Sequence, residues 1–592
     1  MRRAENTLRY RHLILLLLCL MLASPDAHAM FIEQMAVSAR AISLGNACTA
    51  DPPGTMSIHY NPAGLTYLPD TAFGQGLTLP FVFQKISFEA DPRMDPFMDG
   101  SAPNPPGHVN PDTGIENGAD VKPDDSYPKL DPCAGKSGTS GPRMFLPILN
   151  QTIPFLAGPT MGISARKSGS RWTFGYANYA PFAVGLSQSG ADNPVRFQAK
   201  ELGQQHLIYA APAVSYRVNE KFSLGLSVGM GQTATYATLD QRMPNQMTAL
   251  TKVLGEATKD LNIPIISQMT LPPPWFGGGV GPYEKVSQLS MLMRDDFSPS
   301  YNIGALYKPK EWFSFGVCYQ SEIKVEQVGN WKVQYSDQFK AMIDWLGQGN
   351  ILPVTAAMLN LPTRGANQSG YVTNNMSFPQ RVQAGIAVKP FKFMKVLFDI
   401  NWADWSVLKE DRFIFDRPAD FLRFATIMGY TQGGSKSNTM VVKRAFEDTI
   451  SFGTGLEIMP NDWLTLRLGY EYRPTSVQDE LFDAMYAMPN IHHYAAGFGI
   501  ATKKNIVIDV AFALLKGEDV YIPNNGSINM NSTDFNRPVY NPYAGLHFRE
   551  EMTAYIASIN VRMPISTMKE HMHHQLEMVK KVYHFLNPFD GK

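Results

Sequence analysis

The pentapeptide Gly225-Leu226-Ser227-Val228-Gly229 fits the G-x-S-x-G pattern in which a serine hydroxyl attacks an ester carbonyl. That chemistry needs the serine exposed on a sharp strand-to-helix turn, with a histidine and an acid converging on it. Ser227 instead stands in the middle of an alternating run from Phe222 to Met230, so its hydroxyl is expected to be structural. His571, His573 and His574 are metal-ligand types, but three histidines on a Met-rich tail read as a solvated surface. Cys19 belongs to the leader, and Cys48, Cys133 and Cys318 lack metal-ligand spacing. Cys48 and Cys133 could pair in an oxidising compartment; free thiols are the simpler expectation. The chain therefore reads as a non-enzyme without catalytic residues, metal site or cofactor.

The elements that carry these residues point to a membrane. Arg2, Arg3, Arg9 and Arg11 precede an apolar stretch from Leu13 to Leu22 and the small-x-small triplet Ala27-His28-Ala29, which predicts a signal peptide over 1–29 and a mature chain from Met30. No later run approaches the ~18 apolar residues of a membrane helix. Lys plus Arg number 52 and Asp plus Glu 52, so no basic field recruits nucleic acid. Aromatics at 11%, with 47 Gly and 43 Pro, suit many strands and turns.

Period-two alternation recurs from Thr71 to Met563. Phe222, Leu224, Leu226, Val228 and Met230 alternate with small residues, and Leu464, Leu466, Leu468, Tyr470 and Tyr472 alternate with Arg467, Glu471 and Arg473 among others. A soluble sandwich would turn the apolar face inward, whereas a membrane barrel would turn it to lipid and the charges to the lumen. Connection lengths separate the two. Fourteen candidate strands are joined on one rim by tight turns such as Val218-Asn219-Glu220-Lys221 and Lys389-Pro390-Phe391-Lys392, and on the other by long loops such as 84–156 and 241–296. That asymmetry predicts an all-β fold, a 14-stranded antiparallel transmembrane β-barrel of a Gram-negative cell outer membrane, with the barrel and its long extracellular loops over 71–563 and a periplasmic C-terminal extension over 564–592. Lumen cations such as Arg217, Arg381 and Arg467 could meet a carboxylate, but pairing with Glu471 or Asp399 is the simpler expectation.

Two long loops show helical periodicity: Met247 to Leu261 lines up Leu250, Val253 and Leu254, and Phe339, Met342, Ile343 and Leu346 flank Trp345. Phe421, Leu422, Phe424 and Ile427 suggest a third helix. These helices either cap the barrel mouth or form an outer groove for a greasy ligand, with Leu250, Leu254, Met342, Trp345 and Leu346 as its candidate lining. Ahead of the strands, Ala50 to Leu65 carries Pro52, Pro53 and Pro62 with Gly54 and Gly64, and so reads as a compact irregular loop. Irregular backbone at membrane depth belongs inside a barrel, which makes 30–70 an N-terminal hatch or plug.

With hatch and paired strands in view, Asn61-Pro62-Ala63-Gly64-Leu65, preceded by Ala36-Val37-Ser38-Ala39-Arg40-Ala41 and Gly45-Asn46-Ala47, resembles the N-terminal hatch of the FadL family of outer-membrane long-chain fatty acid transporters, whose relatives carry aromatic hydrocarbons. Trp172-Thr173-Phe174-Gly175 and Asn401-Trp402-Ala403-Asp404-Trp405-Ser406 are weaker echoes. The resemblance implies passive uptake of hydrophobic compounds through a plugged monomeric barrel, with lateral release into outer-membrane lipid. It implies ligand contacts at Phe31 and Ile32, a hatch motif at Asn61, Pro62 and Ala63, and a lateral opening where the third strand kinks. Pro181 cannot donate to a ladder, so Asn178, Tyr179, Ala180 and Pro181 are the expected kink. Long-chain fatty acids are placed ahead of aromatic hydrocarbons; an outer-membrane lipid hydrolase and an adhesive barrel are the other classes.

Overall fold

The computed structural model describes residues 37–68, 71–90, 126–128, 130–146, 151–188, 190–261, 271–427, 436–486, 488–523, 526–529 and 542–567. Fourteen antiparallel strands close into a barrel. They are β1 (Ala72–Ala90), β2 in two pieces (Ser137–Pro142 and Gly158–Ala165), β3 (Trp172–Gln188), β4 (Glu201–Arg217) and β5 (Phe222–Gln241). Next come β6 (Ser287–Asp295, Ser300–Lys310), β7 (Phe313–Gln320, Ile323–Tyr335), β8 (Gln368–Phe378, Arg381–Phe391), β9 (Met394–Ala403, Glu410–Phe415) and β10 (Thr439–Lys443, Thr449–Ile458). The wall ends with β11 (Leu464–Arg473), β12 (Ile491–Ala501), β13 (Val507–Gly517, Val520–Ile522) and β14 (Leu546–Pro564). β14 returns to β1 in unbroken register from Ala72↔Pro564 to Ala90↔Leu546, leaving no sheet edge there.

Burial decides what alternation alone left open. Leu224, Leu226, Val228 and Met230 face outward at 43, 41, 41 and 39% exposure, while Ser223, Ser227, Arg467, Glu471 and Arg473 are buried. An apolar exterior around a charged interior is the pattern of a lipid-embedded barrel. Tight turns on one rim are shaped by short polar side chains: Asn219 Oδ1 accepts from the amides of Lys221 and Phe222 at 2.9 Å, and Asn461 Oδ1 accepts from Trp463 and Leu464. Exposed Trp172, Trp312 and Trp463 stand beside these turns as an interfacial aromatic band.

Inside the barrel, residues 37–68 form short turns, including α1 (Ala39–Ile42), α2 (Ser57–Tyr60) and the 3₁₀ turns Gly54–Met56 and Pro62–Tyr67. On the opposite rim the loops carry α3 (Gln246–Thr258), α4 (Asp337–Leu346), α5 (Leu352–Met358) and α6 (Asp420–Ile427). Asn245 caps α3 by accepting from Thr248 N at 3.0 Å, and Ser336 caps α4 by accepting from Phe339 N at 3.2 Å. The outer part of the lumen is filled by loop segments around buried Trp405, Phe446, Phe482 and Tyr543. Buried arginines tie those segments together: Arg242 contacts Asp131 at 2.6 Å, and Arg444 bridges Asp411 at 2.7 Å and Asp483. Cys48, Cys133 and Cys318 are buried free thiols.

Candidate functional site

The hatch is fastened to the wall by hydrogen bonds that answer its irregular backbone. Asn61 Nδ2 donates to the carbonyls of Thr49 at 2.9 Å and of Ala305, on β6, at 3.0 Å, while its Oδ1 accepts from Ala63 N at 3.2 Å. Pro62 has no amide, and its carbonyl accepts from Ser215 Oγ on β4 at 2.5 Å. Asp399 Oδ2 on β9 accepts from the amides of both Cys48 and Thr49, at 2.9 and 2.7 Å. Ser227 Oγ donates to the Ile58 carbonyl at 3.0 Å. The serine of the hydrolase-like pentapeptide is thus a hatch clamp in mid-strand. Its neighbour Gly225 lies so close to Pro62 and Ala63 that any Cβ would strike hatch backbone.

A charge network locks the short-turn side of the hatch. Arg40 Nη2 lies 2.7 Å from Asp51 and Arg40 Nε 2.9 Å from Glu457. Lys395 reaches Asp51 at 2.5 Å and Glu457 at 2.9 Å, and Arg467 joins Glu457 at 2.9 Å to Asp509 at 2.7 Å. Burial favours the neutral acid, but Lys395, Arg40 and Lys308 together hold the Asp51 carboxyl well below its ordinary value. The pairing differs from the sequence expectation: Arg467 pairs with Glu457 and Asp509, and Glu471 pairs with Arg473 at 2.8 Å. Arg217 donates to the Thr66 carbonyl. Adjacent strands meet in a register that only the closed sheet defines.

On the other face of the hatch lies a cavity of about 30 Å³ against His59, Tyr179, Pro181, Phe182, Ile208 and Arg381. A second, of about 40 Å³, is lined by Asn46, Tyr60, Asp399 and Asn401 and shares Arg381. Arg381 is buried, 5.8 Å from the Phe182 ring centroid. The His59 ring meets Tyr60 and Tyr179 edge-on, each at 4.9 Å between centroids, and burial followed by the Arg381 charge pushes its imidazole down to about 3.

Next to this cavity the wall loses regular pairing. β2 pairs with β3 from Ala165↔Phe174 to Met161↔Asn178, and pairing resumes at Pro142↔Leu186. Residues 179–184 have no β2 partner among the described residues, Gly185 accepting from Arg143 N at 2.9 Å, and on the β1 side pairing with β2 likewise stops at Thr78 and resumes at Gln84. The β3 register against β4 slips between Ala177 and Tyr179 and again before Phe182. Pro181, Phe182 and Ala183 are buried in succession, so the strand's in-and-out alternation fails there. Between its two pieces β2 gives residues 143–157 to an excursion that includes a short hairpin, Met144–Leu146 with Gln151–Ile153. Sequence reasoning missed this break, because Met144-Phe145-Leu146-Pro147-Ile148-Leu149 carries no period-two signal.

The five residues of the candidate outer groove differ in their surroundings. Met342 is buried in one cluster with Trp331, Phe421 and Leu422, Leu346 packs against that cluster, and Trp345 is buried beside it. The turn Trp275–Gly278 packs against both α3 and α4, with the Phe276 and Trp345 rings 4.9 Å apart. Leu250 on α3 is exposed at 42% and Leu254 is half-buried. The helices bury much of their own apolar stripe and leave Leu250 outermost. Phe31 and Ile32 lie outside the described residues, as do His571, His573 and His574.

A plugged, outward-apolar barrel of this kind is an outer-membrane transport fold. A family model described as outer membrane protein transport protein (OMPP1/FadL/TodX) matches residues 19–564, and the chain belongs to that family. Its place is accordingly the Gram-negative outer membrane. A long-chain fatty acid transport protein of Salmonella typhi is 23% identical over 324 residues, covering 52% of this chain and 58% of the relative, so the chain spans less than two thirds of that curated protein. Among solved structures, a Pseudomonas aeruginosa FadL homologue superposes with a TM-score of 0.58 at 15% identity, covering 90% of this chain and 99% of that one. The P. putida toluene transporter TodX gives 0.53 at 14% identity, with 90% and 99% coverage.

Proposed function

We propose that the protein carries hydrophobic small molecules, long-chain fatty acids ahead of aromatic hydrocarbons, passively from the outer face to the cavity above the hatch and sideways into lipid along the edge of β3 that lacks a β2 partner. The observation that carries this reading is the coincidence of the wall interruption at 179–184 with the cavity bounded by Tyr179, Pro181, Phe182 and Ile208. An apolar cargo gains about 0.8 kcal/mol per methylene on leaving water, so a route from the cavity straight to lipid avoids an aqueous step that would cost as much. Asn178 to Pro181 form one side of the proposed exit. Phe31 and Ile32, at the start of the mature chain, are proposed contacts of the cargo, and exposed Leu250 on α3 part of the outer capture surface.

Arg381 inclines the reading toward acids, because its guanidinium stands at both cavities and would meet a carboxylate head. The two cavities together are far smaller than the roughly 300 Å³ of an ordinary ligand site, so cargo entry requires side chains or hatch to move aside. Equilibrium binding of oleate and of toluene to the purified full chain tests the reading. Oleate is expected to bind more tightly, and Arg381→Gln to weaken oleate about tenfold while sparing toluene. Failure to bind either compound would return the choice to a hydrolase or an adhesive barrel.

A further inference from the structure

The chain is electrically neutral overall, with 52 basic and 52 acidic residues, yet its short-turn rim is not. Five of the six short turns present exposed Lys or Arg at or beside the turn, among them Lys167, Lys221, Lys310, Lys392 and Lys503. The exposed acids on the same rim are Glu220, Glu311 and Asp462. These cations sit immediately beyond the band of exposed Trp172, Trp312 and Trp463. Tryptophan settles at headgroup level, and lysine beside it extends its stem along the apolar boundary with the ammonium among the headgroups. The depth of the cations is therefore fixed by the aromatic residues, and what lies at that depth around a barrel is lipid phosphate.

We propose that this rim is a binding surface for anionic phospholipid, gripping phosphatidylglycerol-type headgroups in the leaflet that faces the short turns. Lysine ammonium groups meet phosphate as point charges, and their spread over successive turns matches a ring of separate lipids rather than one deep pocket. The ring would also hold the barrel at a fixed depth, which sets the level at which the β3 interruption meets the acyl chains. The proposal rests on membrane placement and not on the identity of the cargo, so it stands or falls independently of oleate binding.

The test uses the full chain reconstituted in nanodiscs of equal parts phosphatidylcholine and phosphatidylglycerol, followed by native mass spectrometry of the retained lipids. Wild type is expected to retain phosphatidylglycerol over phosphatidylcholine by at least about fivefold, the factor that one surface cation near an anionic bilayer supplies. Added salt should reduce the preference. The combined variant Lys167→Gln, Lys221→Gln, Lys310→Gln, Lys392→Gln and Lys503→Gln should lose it, while Lys324→Gln with Lys332→Gln on the long-loop half should keep it. Heat-modifiable gel mobility verifies folding, and the single variant Lys392→Gln with the salt titration serves if the combined one does not fold. Equal retention of both lipids by wild type, as expected if the rim instead serves an acidic protein, would overturn the proposal. So would a preference unchanged in the folded rim variants.

Discussion

Lys395, on the barrel wall, stands 2.5 Å from Asp51 of the hatch, and the same ammonium reaches Glu457 at 2.9 Å. The hatch is thereby held to the strands by charge as well as by packing, since Arg40 contacts both acids from the hatch side. Asp51→Asn removes one partner and leaves Lys395 and Arg40 with a single shared acid. Because Asp51 keeps partial solvent contact, the expected cost is about 2 kcal/mol, between the values for exposed and buried pairs. Hydrogen exchange over 39–67 should accelerate while the strand amides stay protected, and single-channel conductance should rise. Unchanged exchange in the hatch would show that the ion lock contributes nothing.

His59 gives the hatch a pH dependence of known sign. In the packed hatch its imidazole is pushed down to about 3 from 6.5 by burial and by Arg381. A released hatch returns the ring to its ordinary value and binds a proton. Packing is therefore fully favoured above pH 6.5 and weakens as pH falls through the window toward about 3, by up to about 1.4 kcal/mol per unit. Asp51, held below its ordinary value, adds a loss of the same sign only at more acid pH. Across this range hatch amide exchange should quicken more on acidification, or slow less, in wild type than in His59→Gln, the difference between the two being the contribution of the imidazole. An identical slope in the variant would remove His59 from the account.

Ser227 and Gly225 distinguish a clamp from a nucleophile. Ser227→Ala deletes the hydrogen bond to the Ile58 carbonyl and is expected to loosen the hatch by about 1 kcal/mol without changing ester hydrolysis, which should stand at background in both proteins. Gly225→Val should be worse, by about 1–3 kcal/mol, because the side chain would overlap hatch backbone at Pro62 and Ala63. Turnover of a p-nitrophenyl ester that disappears in Ser227→Ala would contradict this assignment.

Much of the barrel was legible in the sequence because lipid on one side and a polar lumen on the other impose a strict period of two, as in Phe222 to Met230. The signal fades where most residues of a strand are polar. β8 begins at Gln368, yet Gln368 to Asn375 is mostly polar, and a reading from alternation starts the strand at 376. Asn61 and Pro62 announced the hatch through turn chemistry, whereas the carbonyl of Ala305 that receives Asn61 lies 244 residues away and has no local signature. The same holds for Arg467 with Glu457, neighbours only through the β10–β11 register. The β2 excursion was hidden because its apolar residues do not alternate, and the packing of Trp345 against Phe276 depends on a turn whose place no periodicity foretells.

The proposed contact between Phe31 and the cargo can be checked on the protein as isolated. Mass spectrometry of compounds that co-purify with the protein in mild detergent should reveal long-chain acids in wild type and at least about a fivefold lower occupancy in Phe31→Ala, the cost of removing part of an aromatic contact. Equal occupancy would exclude that contact.

The exit is tested most directly by uptake. Ile208 is buried at 4% exposure on β4, where it lines the cavity beside the β3 interruption. Ile208→Trp fills that space while leaving the Asp51–Lys395 ion pair intact, and hydrogen exchange over 39–67 checks that the hatch, whose Ile58 and Tyr60 share the Ile208 cluster, stays packed. Oleate uptake should be measured in cells lacking their own long-chain acid transporter, with wild type and variant matched for folded protein by heat-modifiable mobility. Uptake that depends on wild type and falls to background in Ile208→Trp is the predicted result. Uptake undiminished by the filled cavity would contradict a lateral route through this part of the wall.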